Sequence, residues 1–159
     1  MKEFITKNTK ETEKLATILA EELTSRASEN HGLIIGLEGE LGAGKTTFAQ
    51  AFAKALGVKD KILSPTFVLI KSYKLQAISS KPKAYNLKPI AFSFLHHIDA
   101  YRLKDHQDLA SLGIKEIFED SQNIVLIEWS DRVEKILPKD YIKIHIDHIS
   151  ENERKITIK

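Results

Sequence analysis

The segment 39–46, with the sequence GELGAGKT, constrains the fold of this chain more than any other feature. It fits the pattern G-x-x-x-x-G-K-[ST], in which glycines let the backbone curl around phosphate groups and point successive N–H groups at them. The apolar run 33–37 precedes the segment, and apolar residues at helical spacing follow it as far as Gly57. A helix that begins here also directs the positive end of its dipole at the phosphates. The strand, loop and helix together predict a P-loop that binds ATP.

Two side chains of this loop have separate roles. We expect Lys45 to bridge the outer phosphates and the Thr46 hydroxyl to be a ligand of Mg²⁺, which prefers oxygen donors and is shared with the phosphates of its nucleotide. A dinucleotide-binding loop is excluded, because Thr47 stands where the pattern G-x-G-x-x-G requires its last glycine.

A P-loop also needs an acid at the end of a neighbouring strand, where the acid holds the metal's water shell or orients the attacking water. Asp99 follows the segment 94–98, and Glu128 follows the apolar run 124–127. Parallel strands have their carboxyl ends at the same edge of a sheet, so both acids should lie near the phosphates. Each is therefore a candidate for either role. Thr66, in the segment 64–67 (SPTF), can reach the γ-phosphate or the metal, or can belong to a simple proline turn.

These considerations give three sets of candidate residues. The catalytic candidates are Asp99, Lys45 and Thr66. The nucleotide-binding candidates are Glu40, Leu41, Gly42, Ala43, Gly44, Lys45, Thr46, Thr47 and Trp129. The metal-binding candidates are Thr46, Glu128 and Asp99.

The composition is that of a globular domain with a packed core. The chain has 159 residues, of which 42% are hydrophobic and 29% are charged. It has no cysteine, which excludes disulfides and thiolate metal sites. It shows neither an apolar signal core nor the run of about 20 apolar residues that spans a bilayer. We therefore expect a single cytoplasmic domain over 1–159, with no membrane contact.

Hydrophobic periodicity predicts the order of helices and strands. A capping-box pattern at Asn8 and Glu11 opens a helix that reaches about Ser25. A short helix ends at Gly113, and 131–136 is a candidate helix. Strands are predicted at 4–5, 33–37, 67–70, 91–95 and 124–127, and the alternating segment 142–147 turns at 150–153 into an antiparallel partner at 155–159. The fold class is α/β: a P-loop NTPase-like three-layer sandwich with a mainly parallel central sheet and an antiparallel C-terminal margin.

Four blocks of the sequence resemble, in order and spacing, those of the TsaE family, the ATPase subunits of bacterial tRNA threonylcarbamoyladenosine synthesis. The blocks are 39–47 (GELGAGKTT), 64–67 (SPTF), 97–103 (HIDAYRL) and 126–129 (LIEW). The first block is shared by many P-loop proteins, whereas the other three are more specific to this family. The resemblance covers residues from about Lys10 to Arg132.

The resemblance implies an ATPase, weak when isolated, that associates with the TsaD and TsaB proteins. It would support the transfer of threonylcarbamate by TsaD to adenosine 37 of certain tRNAs, and it would meet tRNA indirectly through that complex. The resemblance also implies that Lys45, Thr46 and Thr47 bind phosphates and metal. In the same way, Glu128 is implied to be a Mg²⁺ ligand and Asp99 an outer-sphere or water-orienting acid, although the two roles are not separated at this point.

The chain departs from the family between Phe67 and Asp99, where it is longer and residues 76–90 resemble an insertion. Six lysines and no acid lie between Lys61 and Ile98. The insertion 76–90 carries part of this lysine excess and is either a contact for an acidic partner surface or tRNA, or a solvated loop.

Three other interpretations are weighed against the ATPase. A small-molecule kinase usually needs an arginine-bearing lid, but the four arginines of this chain are not clustered in a lid. A nucleotide-gated module resembling a small GTPase would need the guanine-reading Asn-Lys-x-Asp motif, which is absent. A zinc site at His96 and His97 is disfavoured, because adjacent strand residues point to opposite faces.

Overall fold

The computed structural model describes residues 1–25, 30–60, 62–63, 69–75 and 92–159. Its strands are β1 Lys2–Thr6, β2 Leu33–Glu38, β3 Ile70–Lys74, β4 Phe94–Asp99, β5 Asn123–Glu128, β6 Ile142–His148 and β7 Arg154–Ile158. Its helices are α1 Thr9–Ser25, α2 Lys45–Ala55, α3 His106–Ala110 and α4 Ile114–Glu119. The strands form one sheet in the order β1-β7-β6-β2-β5-β4-β3.

The centre of the sheet is parallel. Strand β2 pairs in parallel with β5 on one side and β6 on the other, and β5 pairs in parallel with β4. At one margin β7 runs antiparallel to β6 and to β1, and at the other β3 runs antiparallel to β4. The predicted α/β class and mainly parallel sheet are confirmed. The antiparallel C-terminal margin is confirmed too: β7 runs antiparallel to β6, which itself pairs in parallel with β2.

Two apolar cores cover the two faces of this sheet. Alternate residues of β2 enter different cores: Ile35 packs with α1 and α2, whereas Ile34 packs with α3 and α4. In β5, Leu126 and Val125 divide in the same way. A strand buried on both faces reads as a continuous apolar run, which explains why β2 and β5 are recognisable in the sequence. The result is the predicted three-layer arrangement.

The N-terminal cap of α1 is a shifted version of the predicted capping box. Asn8 Oδ1 accepts a hydrogen bond from the Glu11 backbone N–H at 3.0 Å. The Glu11 carboxylate in return accepts the N–H of Lys7 at 2.8 Å, one residue before the cap. The Asn8 side chain satisfies a backbone donor that the helix start leaves open, whereas Lys7 lies outside the helix. Helix α1 runs from Thr9 to Ser25, which confirms the predicted start and end.

Several predicted boundaries are wrong. Strand β3 continues to Lys74 rather than ending at residue 70, and β4 begins at Phe94 and continues through His96 and His97 to Asp99. The polar side chains at its end are accommodated by hydrogen bonds, which apolar patterning does not reveal. The predicted strand segments 67–68 and residue 91 lie outside the described residues.

The region between β4 and the C-terminal hairpin also differs from prediction. The predicted short helix ends at Ala110, with Ser111 as its C-cap, rather than at Gly113. Gly113 is instead the N-cap of α4, a helix that apolar spacing did not predict, and its φ of 72° suits glycine. In place of a helix at 131–136, two 3₁₀ turns cover Ser130–Arg132 and Glu134–Ile136. No helix in the described ranges is long and apolar enough to cross a membrane.

Candidate functional site

The loop between β2 and α2 has the backbone that its glycines predict. Gly39, Gly42 and Gly44 have φ values of 134°, 81° and 105°, a region that side chains with a Cβ rarely adopt. A Cβ at Gly39 would also collide with the carbonyl oxygen of Ile146. Glycine at this position is therefore required both by the conformation and by the close approach of β6.

Lys45 lies at the centre of the loop and is buried. Its Nζ donates hydrogen bonds to the carbonyl oxygens of Gly39 at 2.7 Å and Glu40 at 2.8 Å. The same Nζ lies 3.6 Å from the centroid of the Trp129 ring, within cation–π range. Burial lowers the pKa of the Lys45 ammonium, and the nearby carboxylates oppose that shift. The Lys45 ammonium, at the end of the loop, is therefore bonded to carbonyl oxygens at its beginning.

A buried chain of hydrogen bonds joins the loop to strands β5 and β4. The Thr46 hydroxyl donates to Glu128 Oε2 at 2.8 Å, and His97 Nε2 lies 2.9 Å from Glu128 Oε1. An ionised carboxylate only accepts, so with Glu128 in that form the donor of this bond is His97 Nε2. His97 is fully buried, and its Nδ1 has no hydrogen-bond partner within the described part of the chain. Both oxygens of Glu128 are thereby oriented by side chains.

Asp99 lies beside Glu128 but has a different environment. The two acids end adjacent parallel strands and are register partners, and Asp99 is 3% exposed. Asp99 Oδ1 accepts the backbone N–H of Tyr101 at 2.9 Å, which folds the chain over the end of β4. Glu128 therefore contacts α2 through Thr46, whereas Asp99 Oδ1 accepts from the loop that follows its own strand.

Trp129 belongs to a stack of rings and cations at this edge of the sheet. Its φ of 61° is left-handed, and its N–H bonds the carbonyl of Leu37 at 2.9 Å. The Tyr101 ring centroid lies 4.9 Å from that of Trp129, and Arg132 lies near both rings. A left-handed tryptophan is strained, and strained backbone clusters at functional sites. Trp129 thus packs against the apolar core on one side of the sheet and also contacts Lys45, and its role in nucleotide binding stays a prediction.

The predicted site residues mostly converge. Lys45, Thr46, Asp99, Glu128 and Trp129 meet at the carboxyl edge of the parallel strands. Leu41, at the tip of the loop, is 77% exposed. Thr66 and the insertion 76–90 lie outside the described residues. Their proposed roles stay predictions.

The two histidines considered for zinc have separate partners. His96 Nδ1 lies 2.8 Å from the Ser72 hydroxyl on β3, whereas His97 contacts Glu128. Across the described ranges, no group of three or more histidine, aspartate or glutamate side chains is placed to hold a metal ion. His97 was missed as a partner of Glu128, although its place two residues before Asp99 on an adjacent strand is a usable signal.

A second polar cluster, also missed from the sequence, anchors the beginning of the loop. Glu38, the last residue of β2, contacts Lys143 at 3.0 Å, and Lys143 also contacts Glu134 at 2.8 Å. The hydrogen bond to Glu134 is the main cause that raises the pKa of Lys143. Ser130 donates to Glu38 from the turn after β5. These contacts bind the end of β2 to β6 just before Gly39.

Comparisons with known proteins agree with this geometry. Residues 6–156 match the family model described as "Threonylcarbamoyl adenosine biosynthesis protein TsaE". The tRNA threonylcarbamoyladenosine biosynthesis protein TsaE of Bacillus subtilis is 35% identical over 152 residues, which are 96% of this chain and 81% of that protein. The protein of the same description from Rickettsia felis is 33% identical over 156 residues, or 98% and 78% of the two chains. A crystal structure of YdiB from Bacillus subtilis superposes with a TM-score of 0.67 at 32% identity, and covers 99% of this chain and 83% of that one.

Proposed function

The chain belongs to the TsaE family of threonylcarbamoyl adenosine biosynthesis proteins, and we propose that it binds and hydrolyses ATP in support of threonylcarbamoyl transfer to adenosine 37 of tRNA. The observation that carries the proposal is the 2.8 Å hydrogen bond from the Thr46 hydroxyl to Glu128. It joins the first turn of α2 to the end of β5. The loop hydroxyl and the strand-end acid of a P-loop ATPase therefore meet at one point.

Phosphate oxygens would be bound by the backbone N–H groups of 40–47 and by Lys45. The Lys45 ammonium would exchange its bonds to the Gly39 and Glu40 carbonyls for bonds to phosphate. The ammonium is charged in either state, but a phosphate oxygen adds the attraction of its negative charge, which a neutral carbonyl lacks, so an anionic phosphate competes well with two carbonyls. Lys45 needs only to rotate its side chain, because its backbone already begins α2.

The residues at this point suit Mg²⁺, which takes oxygen ligands. Thr46 and Glu128 would hold the ion, since their oxygens are within hydrogen-bond distance of each other and converge on the loop. When bound, Mg²⁺ neutralises charge on the phosphates. Asp99, which does not share the Thr46 contact, would orient the attacking water. His97 would keep the Glu128 carboxylate in position.

The ATPase would act with TsaD and TsaB in the cytoplasm, with the transfer chemistry at TsaD and tRNA met through the complex. Family membership supports this part of the proposal. A family-model match across 6–156 favours this role over a small-molecule kinase or a GTPase-like module, which would share only the P-loop.

Reconstitution tests the proposed function. Purified chain, TsaD and TsaB are combined with ATP, an activated threonylcarbamoyl donor and tRNA, and modified adenosine is measured after digestion to nucleosides. We expect sustained modification only when this chain and ATP are both present, with ATP consumed. The Lys45→Ala variant serves as the control and should not support tRNA modification. Equal modification without the chain, or with Lys45→Ala, would contradict the proposal.

Trp129 gives an optical test of nucleotide binding, since it is the only tryptophan of the chain. Lys45 lies over its ring, so phosphate binding that draws the ammonium away should change the emission of the indole. We would titrate with ADP, ATP and a non-hydrolysable ATP analogue, each with and without Mg²⁺. The expected result is a change that depends on the metal and differs between di- and triphosphate. A flat signal for every nucleotide, with binding verified by calorimetry, would refute the role of Trp129 as a reporter.

A further inference from the structure

Arg154, the first residue of β7, connects the C-terminal hairpin to the P-loop. Its Nε donates to the carbonyl oxygen of Ala43 at 2.9 Å, across 111 positions of sequence. Its Nη1 donates to the carbonyl oxygens of Glu153 at 2.9 Å and Ser150 at 3.1 Å in the turn between β6 and β7. The planar guanidinium of Arg154 therefore bonds the turn between β6 and β7 through Nη1 and the loop between β2 and α2 through Nε.

The carbonyl that Arg154 binds belongs to the peptide unit whose N–H is that of Gly44. A peptide unit is planar, so a donor fixed on its oxygen also fixes the direction of the N–H on the other side. Gly44 has a φ of 105°, a conformation that leaves this peptide few local restraints, and Ala43 is buried. A cationic donor on the carbonyl also polarises the peptide, which makes the Gly44 N–H a stronger donor.

The hairpin meets the loop at a second place. The end of β6 approaches so closely that Gly39 has no room for a Cβ beside the Ile146 carbonyl. The beginning of the loop is thus held by β6, and its last turn before α2 is held by Arg154. This hairpin forms one wall of the phosphate site.

We propose that Arg154 is a positioning residue for phosphate binding: its bond to Ala43 sets the orientation of the Ala43–Gly44 peptide that receives the nucleotide's phosphates. The inference rests on the proposed ATP-binding function of the loop. On this proposal, the hairpin of β6 and β7 contributes to nucleotide affinity in addition to its strand pairing in the sheet.

Arg154→Met tests the proposal, because methionine keeps an unbranched stem and removes every donor. Lys155→Met is the matched control: it lies on the same strand, loses the same charge, and gives up an ion pair to Glu3 on β1 instead. Calorimetry with ADP·Mg²⁺ and ATP·Mg²⁺ gives both affinity and the binding-competent fraction. We expect Arg154→Met to raise Kd by about tenfold or more, the value of one hydrogen bond to a charged group, with Lys155→Met within about twofold of wild type.

The form of the loss separates positioning from simple support of the fold. Positioning raises Kd and the KM for ATP while the binding stoichiometry and kcat are kept. A fall in the binding-competent fraction at unchanged Kd would overturn the proposal, as would equal effects of the two variants. If Arg154→Met does not fold, Arg154→Lys is measured instead, because it keeps the positive charge but loses the Nε donor. A raised Kd for this variant supports the positioning role, and an unchanged Kd overturns it. Wild-type protein that binds neither nucleotide would contradict the proposed function itself.

Discussion

Replacing Lys45 with alanine should lower the affinity for ATP by about a hundredfold or more, since hydrogen bonds to charged groups contribute about 1.5–3 kcal/mol each and Lys45 would make more than one. Its ammonium is the cation held within the loop, where it bonds the carbonyls of Gly39 and Glu40. Calorimetry with ATP and with ADP measures the loss directly.

The variant should remain folded, because α2 keeps its start at Gly44 and its buried apolar face. Circular dichroism and thermal unfolding check this expectation. Lys54→Ala is the matched control, since Lys54 lies in the last turn of the same helix and is exposed. It should bind ATP as the wild type does. A folded Lys45→Ala protein with unchanged affinity would show that phosphates bind elsewhere.

The features that the sequence predicted well are those set by local rules. The loop 39–46 depends on glycine conformations, and the strands beside it depend on continuous apolar runs. The adjacency of Asp99 and Glu128 also followed, because parallel strands end at a common edge and the two acids turned out to be register partners. Each of these features can be inferred from a short window together with one general rule about sheets.

The features that escaped prediction depend on contacts between distant segments. Strand β4 extends through His96 and His97 because Ser72 and Glu128 supply hydrogen-bond partners, and neither partner is visible in a local pattern. Arg154 reaches Ala43 only because β7 folds back along β6. Polar side chains that are buried by long-range pairing carry no periodic signal. The same cause hid the anchoring of Glu38 by Lys143.

The second large effect concerns Glu128, whose replacement by glutamine should reduce ATP hydrolysis by about a hundredfold or more, a loss of the size found when a group that stabilises transition-state charge is removed. Glutamine has the same shape and keeps an oxygen for the Thr46 hydroxyl. Its NH₂ group would face His97 Nε2, which can accept once the ring proton lies on the unpartnered Nδ1, so the fold should survive. What it removes is the negative charge that would hold Mg²⁺ beside the phosphates.

The diagnostic observation is the metal dependence of binding. With Mg²⁺ present, Glu128→Gln should bind ATP more weakly than wild type, whereas in a chelator it should bind equally well or better, because a carboxylate beside the phosphates repels them when no cation intervenes. Asp99→Asn should lose hydrolysis with a smaller change in Mg²⁺-dependent affinity, since the Thr46 hydroxyl bonds Glu128 rather than Asp99. The exposed Glu119→Gln on α4 is the control and should change neither quantity. An equal loss of affinity with and without Mg²⁺ would count against the roles given to both acids. A larger metal-dependent loss in Asp99→Asn than in Glu128→Gln would instead make Asp99 the metal ligand and Glu128 the water-orienting acid.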